Sequence, residues 1–374
     1  MRNIKDKKEV VNQFCKGLIK EEDRKNKVTI RGISSTLIKA ATDCAFVNES
    51  CKSTGEVSKS QVIYRKLDDK TIRDLQTGFR EQTIKFLKVL KIFSRNRKFI
   101  ISFDETEEDY WGEINKFEDN LYIHEGSENP KAKYHYYYMT TAITGTDGER
   151  YILDAKILKR GEYKEDVVKD MTKFIKGYLP IEVILFDRGF GWGVIKVLQE
   201  LNINYLVFWK KQGSWYKNHL NDLKDGKMCK INRRKKYCTD KNGTWVYSDF
   251  VIIKNHKYKD KFYDWIFATN LKFKKAGRFV MRYKKRWGIE TIFRVNDDIR
   301  IYTTSTNPIN RYFLFLFTCF VYNVWKFFQT FLGLGFTRSN FCTNMTLFLF
   351  DEDIIHPIHY KDFKRIALNI KWMI

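Results

Sequence analysis

Proline, paired cysteines and long apolar runs are all scarce in this 374-residue sequence. It has four prolines and seven cysteines, and no two cysteines form a CxxC pair. The cysteine spacing therefore matches neither a zinc ribbon nor a small disulfide scaffold. The odd cysteine count and a start too charged for a secretory signal predict reduced thiols in a cytoplasmic protein. His356 and His359 are followed by no further His or Cys, so we expect them to be structural.

The most apolar stretch is also too short to cross a membrane. Residues 312–322 read YFLFLFTCFVY and are followed by Asn323, Lys326 and Gln329. A membrane-spanning helix needs roughly 18 or more apolar residues in succession. The stretch therefore predicts a buried helix, and we expect no contact with a membrane interior.

Acidic residues are too few to balance the basic ones. The 69 Lys and Arg residues against 45 Asp and Glu residues give a formal net charge of +24. Such an excess predicts a polyanionic partner, first nucleic acid and second an anionic membrane surface. The hydrophobic content of 43% excludes an intrinsically disordered chain.

Residues 1–97 show helical periodicity. The sequence LDDK at 67–70 predicts a turn with a capping Asp between two helices. This arrangement fits a helix-turn-helix DNA-binding domain or a plain helical packing domain. The apolar positions that carry the pattern are Val62, Ile63, Leu67, Ile72, Leu75, Phe79 and Phe86.

From residue 98 the pattern changes to that of an α/β domain. KFIISFD (98–104) and EVILFD (182–187) predict buried strands that each end on an aspartate. Two further strands, within 134–144 and 149–158, are joined by the turn GTDG at 145–148. A helix at 163–178 and another helix and strand after residue 192 complete a mixed sheet flanked by helices.

Residues 210–262 interrupt that alternation. The segment contains TWVYSDFVIIK, whose alternation predicts a strand, and a basic cluster around 227–241. We interpret it as a basic β-rich insertion, after which IFATN returns the chain to the main domain. Four adjacent cations are its candidate DNA-binding residues: Arg233, Arg234, Lys235 and Lys236.

Asp104 and Asp187 are the first candidates for chemistry. Functional groups in open α/β sheets gather beyond the carboxyl ends of strands. Two carboxylates in one crevice stay ionised when a cation offsets their repulsion, and their oxygens suit Mg²⁺ or Mn²⁺. Each aspartate taken alone is equally well a turn former or a helix cap.

Glu290 is a solitary acid in the cationic stretch YKKRWGIETIFR (283–294). On a helix it shares one side with an aromatic and cationic set, whereas the core side carries isoleucines and a valine. It can supply a third carboxylate, although Arg286 and Glu290 also have the spacing of a surface ion pair. The set on the side of Glu290 is Tyr283, Arg286, Trp287, Arg294 and Asp297; the core side is Ile289, Ile292 and Val295.

Together these residues resemble a known family. FDET…YWG around Asp104, LFDRGF around Asp187 and YKKRWGIETIFR around Glu290 are similar to the three motifs of DDE transposases from bacterial and archaeal insertion sequences. The most similar branch has the signature Tyr-x2-Arg-x3-Glu-x6-Lys, and YTTSTNPINRYF…YNVW is similar to its archaeal members. The resemblance covers about 98–330.

The resemblance implies a ribonuclease H-like catalytic domain over 98–335. It agrees with the β-rich insertion placed at 210–262. Outside the resemblance, the sequence pattern predicts a helical DNA-binding domain at 1–97 and a C-terminal tail at 336–374. It also implies DNA as the partner, namely terminal inverted repeats and target DNA, a homodimer that joins two ends, and association with the nucleoid.

The resemblance also implies roles for individual residues. Asp104, Asp187 and Glu290 would be the catalytic ligands of two divalent ions, Mg²⁺ or Mn²⁺. Tyr283 and Arg286 would contact transposon-end phosphates, assisted by Trp287 and Arg294. One departure stands out, because Asp297 occupies the position of the family Lys, whose contact Arg294 or Arg300 would have to replace.

Other functions are less well supported. DRGFGWG (187–193) looks like a dinucleotide-binding loop, but Val194 replaces the third glycine, which argues against an oxidoreductase. No Walker A sequence is present. The remaining alternatives are a transposase-derived DNA-binding protein that no longer cuts DNA, and a ribonuclease H-like nuclease without transposition activity.

Overall fold

A computed structural model describes most of the chain between residues 11 and 332. The described residues are 11–19, 28–90, 92, 97–112, 120–126, 132–145, 149–237, 243–258, 260–332 and 342. His356, His359, most of the GTDG turn and the predicted tail (apart from Cys342) lie outside them.

Nine strands form one mixed sheet at the centre of the described structure. Its order is β2-β3-β1-β5-β6-β9-β8-β7, with β4 paired to β3. The β1/β5 and β5/β6 pairs are parallel, and the other pairs are antiparallel. The strands are β1 (Phe99–Tyr110), β2 (Ile123–Glu125), β3 (Tyr134–Ile143), β4 (Ile152–Ile157), β5 (Ile181–Phe186), β6 (Tyr205–Phe208), β7 (Met228–Tyr237), β8 (Thr244–Tyr258) and β9 (Lys261–Thr269).

Helices precede the sheet, connect its strands and follow it. The described helices are α1 (11–18), α2 (Ile30–Asp43), α3 (Val47–Thr54), α4 (Ser60–Arg65), α5 (Ile72–Val89), α6 (Lys164–Lys176), α7 (Trp192–Glu200), α8 (Ser214–Asn221), α9 (Ala276–Lys284), α10 (Trp287–Asp297) and α11 (Pro308–Leu332). The predicted mixed sheet flanked by helices is therefore confirmed.

Strand β1 is longer than its sequence pattern suggested. We expected a strand that ends at Asp104, but β1 continues to Tyr110 because residues 104–110 remain paired to β3. The parallel pairing with β5 does end at Phe103, which lies opposite Phe186. Asp104 is thus an interior residue of the strand, but it is the first residue beyond the parallel pair.

The strands predicted for the insertion continue the main sheet. Strand β9 pairs with β6, β8 pairs with β9, and β7 pairs with β8. Their buried side chains belong to the same hydrophobic clusters as β1 and β5. The segment therefore contributes the last strands of one sheet, and its division from the catalytic domain stays a prediction.

The N-terminal helices pack against the sheet domain. Phe14 of α1 stacks on Phe320 of α11 with ring centroids 4.0 Å apart. Helix α5 begins after Thr71, whose side chain accepts a hydrogen bond from the Asp74 amide. The cap is therefore this threonine rather than the predicted aspartate of LDDK. Side-chain packing thus crosses the predicted boundary at residue 97.

Helix α11 is the buried helix that the apolar stretch predicted. Tyr312, Phe313, Leu316, Phe317 and Cys319 have no exposed surface. Asn323 is also fully buried, and its amide exchanges two hydrogen bonds with the backbone of Ile152 on β4. None of the helices in the described part of the chain combines the length and apolar content needed to cross a membrane.

Candidate active site

The two aspartates meet where the parallel part of the sheet ends. Phe103 and Phe186 are the last parallel pair, so Asp104 and Asp187 follow on neighbouring strands. The Asp104 carboxylate accepts a hydrogen bond from the Glu105 amide at 3.0 Å. The Asp187 carboxylate accepts one from the Arg188 amide at 2.7 Å. Strand pairing therefore places two carboxylates in one crevice, as the sequence predicted.

The stretch that carries Glu290 folds as two helices rather than one. Helix α9 ends at Lys284 and α10 begins at Trp287. The Arg286 amide donates to the Tyr283 carbonyl at 2.8 Å, which forms a tight turn between the helices. Ile289 and Ile292 face the core with no exposed surface, as predicted.

Gly288 permits a close approach between α10 and the end of β3. A Cβ atom at this position would lie 3.1 Å from the Thr144 Cβ atom. A larger residue would therefore require either Thr144 or α10 to shift, and a shift of α10 would move Glu290 with it.

Arg286 joins all three predicted carboxylates. Its Nη1 donates to Asp104 Oδ2 at 2.9 Å, its Nη2 lies 3.2 Å from Asp187 Oδ2, and Nη2 also donates to Glu290 Oε1. The Tyr283 hydroxyl donates to Asp187 Oδ1 at 2.9 Å and accepts from Arg286 Nε at 3.1 Å. The structure thus brings together all three members of the triad and both signature residues.

Exposure increases from the arginine outward. The Arg286 side chain is 3% exposed, whereas Asp104, Asp187 and Glu290 are 19%, 36% and 46% exposed. Tyr283 is buried. The two signature residues therefore lie beneath the carboxylates, and the carboxylates face the solvent from which a substrate would approach. The phosphate contacts suggested for Tyr283 and Arg286 stay a prediction.

Burial and charge control the protonation of this cluster. Burial, helped by Asp187 and Glu290, raises the pKa of Asp104 to about 6, although Arg286 lowers it. For Arg286, burial lowers the pKa, but Tyr283 and the three carboxylates together raise it above its ordinary value. The guanidinium therefore stays charged while it contacts the carboxylates.

The donor set suits a hard divalent cation. No group of three or more His, Cys, Asp or Glu side chains within the described ranges is already arranged to hold a metal ion. The triad nevertheless consists of carboxylate oxygens, which Mg²⁺ and Mn²⁺ prefer. A divalent cation among the three carboxylates would also offset their mutual repulsion, which Arg286 already reduces. The residues therefore fit divalent ions.

The other predicted residues of this stretch lie around the cluster. Trp287 is half-buried, and its ring centroid lies 5.6 Å from that of Tyr258 on β8. Arg294 is exposed. Asp297 ends α10 with its side chain 68% exposed, 4.0 Å from Arg300. At the place of the family Lys, the structure therefore has an exposed acid beside a cation.

The four cations of the insertion all lie on β7, an edge strand of the sheet. Arg234, Lys235 and Lys236 are exposed. The Arg233 guanidinium instead lies over the Trp215 ring of α8, 3.8 Å from its centroid. Three of the four are thus exposed at the surface, and the guanidinium of the fourth packs against a partly buried ring.

Sequence reasoning missed the aromatic residues of β8. Tyr258 contacts Trp287, and Lys284 Nζ lies 2.9 Å from the centroid of the Tyr258 ring. Trp245 and Tyr247 are exposed near the other end of the strand. The spacing TWVY contained a signal for the latter pair, because alternate residues of a strand share a face. The contact of Tyr258 depends on strand pairing and has no local signal.

Fold and site together define an α/β protein with a cluster of three carboxylates around one buried arginine. Residues 105–324 match the family model of the transposase DDE domain. This span exceeds half of the chain, so the chain belongs to the DDE transposase family. The matched span contains Asp187 and Glu290 and begins one residue after Asp104.

One similar solved structure is the piggyBac transposase synaptic complex with hairpin DNA, determined by cryo-EM. The TM-score is 0.55 at 11% sequence identity, and the similarity covers 96% of this chain and 84% of the other. This likeness shows a shared fold. A search of curated proteins finds no match.

Proposed function

We propose that this protein is a transposase that binds the terminal inverted repeats of its insertion sequence and catalyses metal-dependent DNA cleavage and strand transfer. The observation that carries the proposal is the convergence of Asp104, Asp187 and Glu290 on Arg286. Three carboxylates from three separate segments meet beyond the point where the parallel pairing of β1 and β5 ends. Membership of the DDE transposase family supports the same function.

In this proposal the three carboxylates hold two divalent ions, Mg²⁺ or Mn²⁺. Such ions activate an attacking oxygen and stabilise the leaving oxygen of a phosphodiester. Tyr283 orients Asp187 through the hydrogen bond from its hydroxyl. Arg286 positions the carboxylates relative to one another and offsets part of their repulsion.

DNA is the proposed partner. The net charge of +24 favours a polyanion, and the solved transposase with a similar fold is a synaptic complex with hairpin DNA. We place this chain in the branch with the Tyr-x2-Arg-x3-Glu signature of prokaryotic, archaeal-type insertion sequences, because Tyr283 and Arg286 both contact the triad. A homodimer that pairs two transposon ends and association with the nucleoid complete the proposal.

The direct test is cleavage of DNA that carries the element's own terminal repeats. Purified protein with Mg²⁺ or Mn²⁺ is expected to nick or cut at the repeat boundary and to join the released end to target DNA. A duplex with scrambled repeats is the matched control. Cleavage without preference for the repeats would instead support a ribonuclease H-like nuclease, and binding without cleavage would support a derived DNA-binding protein.

Neutralising the β7 cations is expected to weaken DNA binding and to flatten its salt dependence. Each phosphate contact contributes about −0.9 to the slope of log K against log salt. Because Arg233 is used in packing, replacing Arg234, Lys235 and Lys236 by Gln should remove most of the effect of this strand. The slope is measured by fluorescence anisotropy over a salt series.

The Lys88→Gln/Lys173→Gln/Lys176→Gln variant, which replaces three exposed lysines of α5 and α6, controls for the loss of three positive charges. An unchanged slope in the β7 variant would show that this strand lies outside the path of the DNA.

A further inference from the structure

The β7–β8 hairpin carries an ordered surface of cations and aromatic rings. Strand register places Arg234 opposite Tyr247 and Lys236 opposite Trp245. Directly paired residues project to the same side of a sheet, so all four side chains share one face. We call these four residues the stacking platform. Trp245 and Tyr247 are each 46% exposed.

The opposite face of the hairpin is packed. Val246, Ser248 and Phe250 alternate with the platform residues along β8 and are buried. Arg233 on that face lies over Trp215. The core of the hairpin is therefore formed without Trp245 and Tyr247, so their exposed rings are not required to bury the strand.

One platform ring is held by a neighbouring cation. The Arg234 guanidinium lies 4.6 Å from the Trp245 ring centroid. The nearby acid Asp249 is already engaged by Lys230 at 2.7 Å and by Lys272 at 3.2 Å. The surface is therefore positively charged, with flat rings presented between the cations.

The platform and the carboxylate cluster lie toward opposite ends of the sheet. One row of paired residues runs from Leu185 through Leu206 and Thr269 to Asp249. Asp187 lies two positions beyond that row in one direction, and Trp245 lies four positions from it in the other. At strand dimensions this is roughly 20 Å along the strands and about 14 Å across them.

We propose that the stacking platform binds unpaired bases of single-stranded DNA at a distance from the carboxylate cluster. Lys and Arg side chains bind the phosphates, and Trp and Tyr rings stack on bases without regard to sequence. In a duplex, the two faces of each base are covered by the neighbouring base pairs that stack on it. The platform therefore favours unpaired strands, whose base faces are accessible. That the strand is DNA rather than RNA rests on the proposed function.

The experiment compares binding of a labelled oligo-dT with binding of a duplex of equal length, by fluorescence anisotropy in EDTA. The Trp245→Leu/Tyr247→Leu variant is expected to bind the single strand about tenfold or more weakly, because each stacked base contributes about 1–3 kcal/mol. Duplex binding should change less than twofold. Trp245→Phe/Tyr247→Phe should restore binding, and Tyr163→Leu, at another exposed aromatic, should leave it unchanged.

A second measurement reports stacking directly. Photocrosslinking of an oligonucleotide that contains 5-iododeoxyuridine is expected to label Trp245 or Tyr247 and to lose that label in the Leu variant. Equal loss of duplex and single-strand affinity would overturn base stacking, and unchanged affinity for both would overturn the whole surface. Stronger binding to oligo-rU than to oligo-dT would overturn the assignment to DNA. If the Leu variant changed its oligomeric state but kept its DNA binding, the stacking platform would be a contact between copies of the chain, and the proposal would be wrong.

These measurements use neither metal nor terminal repeats. A failure of repeat cleavage would therefore overturn the proposed transposase function and leave the platform standing. If the single-strand binding tests failed, the proposed cleavage by the carboxylate cluster would be unaffected, because repeat cleavage tests it separately.

Discussion

Asp104→Asn, Asp187→Asn and Glu290→Gln are each expected to reduce strand cleavage by about a thousandfold or more. Each substitution replaces a charged oxygen by an amide of nearly the same shape, so the crevice is kept but its attraction for a divalent cation falls. DNA affinity should not fall, because these carboxylates repel phosphate rather than bind it. Cleavage of repeat-bearing DNA and anisotropy with the same DNA measure the two effects.

Glu107→Gln provides the matched control for these variants. Glu107 lies on β1 three positions after Asp104, so it projects to the other face of the strand. We expect it to cut at the wild-type rate. Wild-type cleavage by all three triad variants would show that the chemistry is located elsewhere.

Arg80→Met is expected to have the largest effect on stability, about 3–5 kcal/mol near pH 8. Arg80 on α5 donates to Asp154 on β4 from Nη2 at 2.6 Å and from Nε at 2.9 Å. The Asp154 side chain is fully buried. Removing Arg80 leaves the negative charge of Asp154 in the core without its cation. Urea unfolding measures the resulting decrease in the free energy of unfolding.

The cost of Arg80→Met should decrease at low pH. Burial raises the pKa of Asp154 from its ordinary 3.8 to about 6, even though Arg80 lowers it. Without Arg80 this pKa rises further, so the native state of the variant binds the proton more tightly than the unfolded chain does. When the pKa of an acid is higher in the folded state than in the unfolded chain, the resulting stability is fully present at pH values below the unfolded pKa. That stability is lost as the pH rises through the folded pKa. The deficit should therefore be smaller at about pH 5 than at about pH 8.

Asp170→Asn tests whether the buried partner is the one that matters. Asp170 accepts from the same Arg80 Nη2 at 2.5 Å, but its side chain is 53% exposed. An exposed pair contributes about 1 kcal/mol or less. If Asp170→Asn destabilised the protein as much as Arg80→Met, the explanation by an uncompensated buried charge would be wrong.

Local pattern predicted most elements of the sheet domain. The predicted strands at 134–144 and 182–187 correspond to β3 and β5, and the strand predicted after residue 192 corresponds to β6. The helix predicted at 163–178 corresponds to α6. Their apolar residues alternate or repeat with the period of the element, and this information is local. Local pattern failed for β1 after Asp104, where six further residues stay in the strand because β3 pairs with them.

The sequence by itself determined the acidic triad, the two signature residues, the mixed sheet and the basic character of β7. The mixed sheet and the basic segment follow from residue type and spacing, whereas the triad and the two signature residues follow from the resemblance of three motifs to a known family. Only the tertiary structure decided that Arg286 lies buried at the centre of the triad and that α9 and α10 are separate helices. Only strand register decided which β7 cations share a face with Trp245 and Tyr247. Contacts between residues far apart in the chain depend on pairing and burial, and no local pattern encodes either.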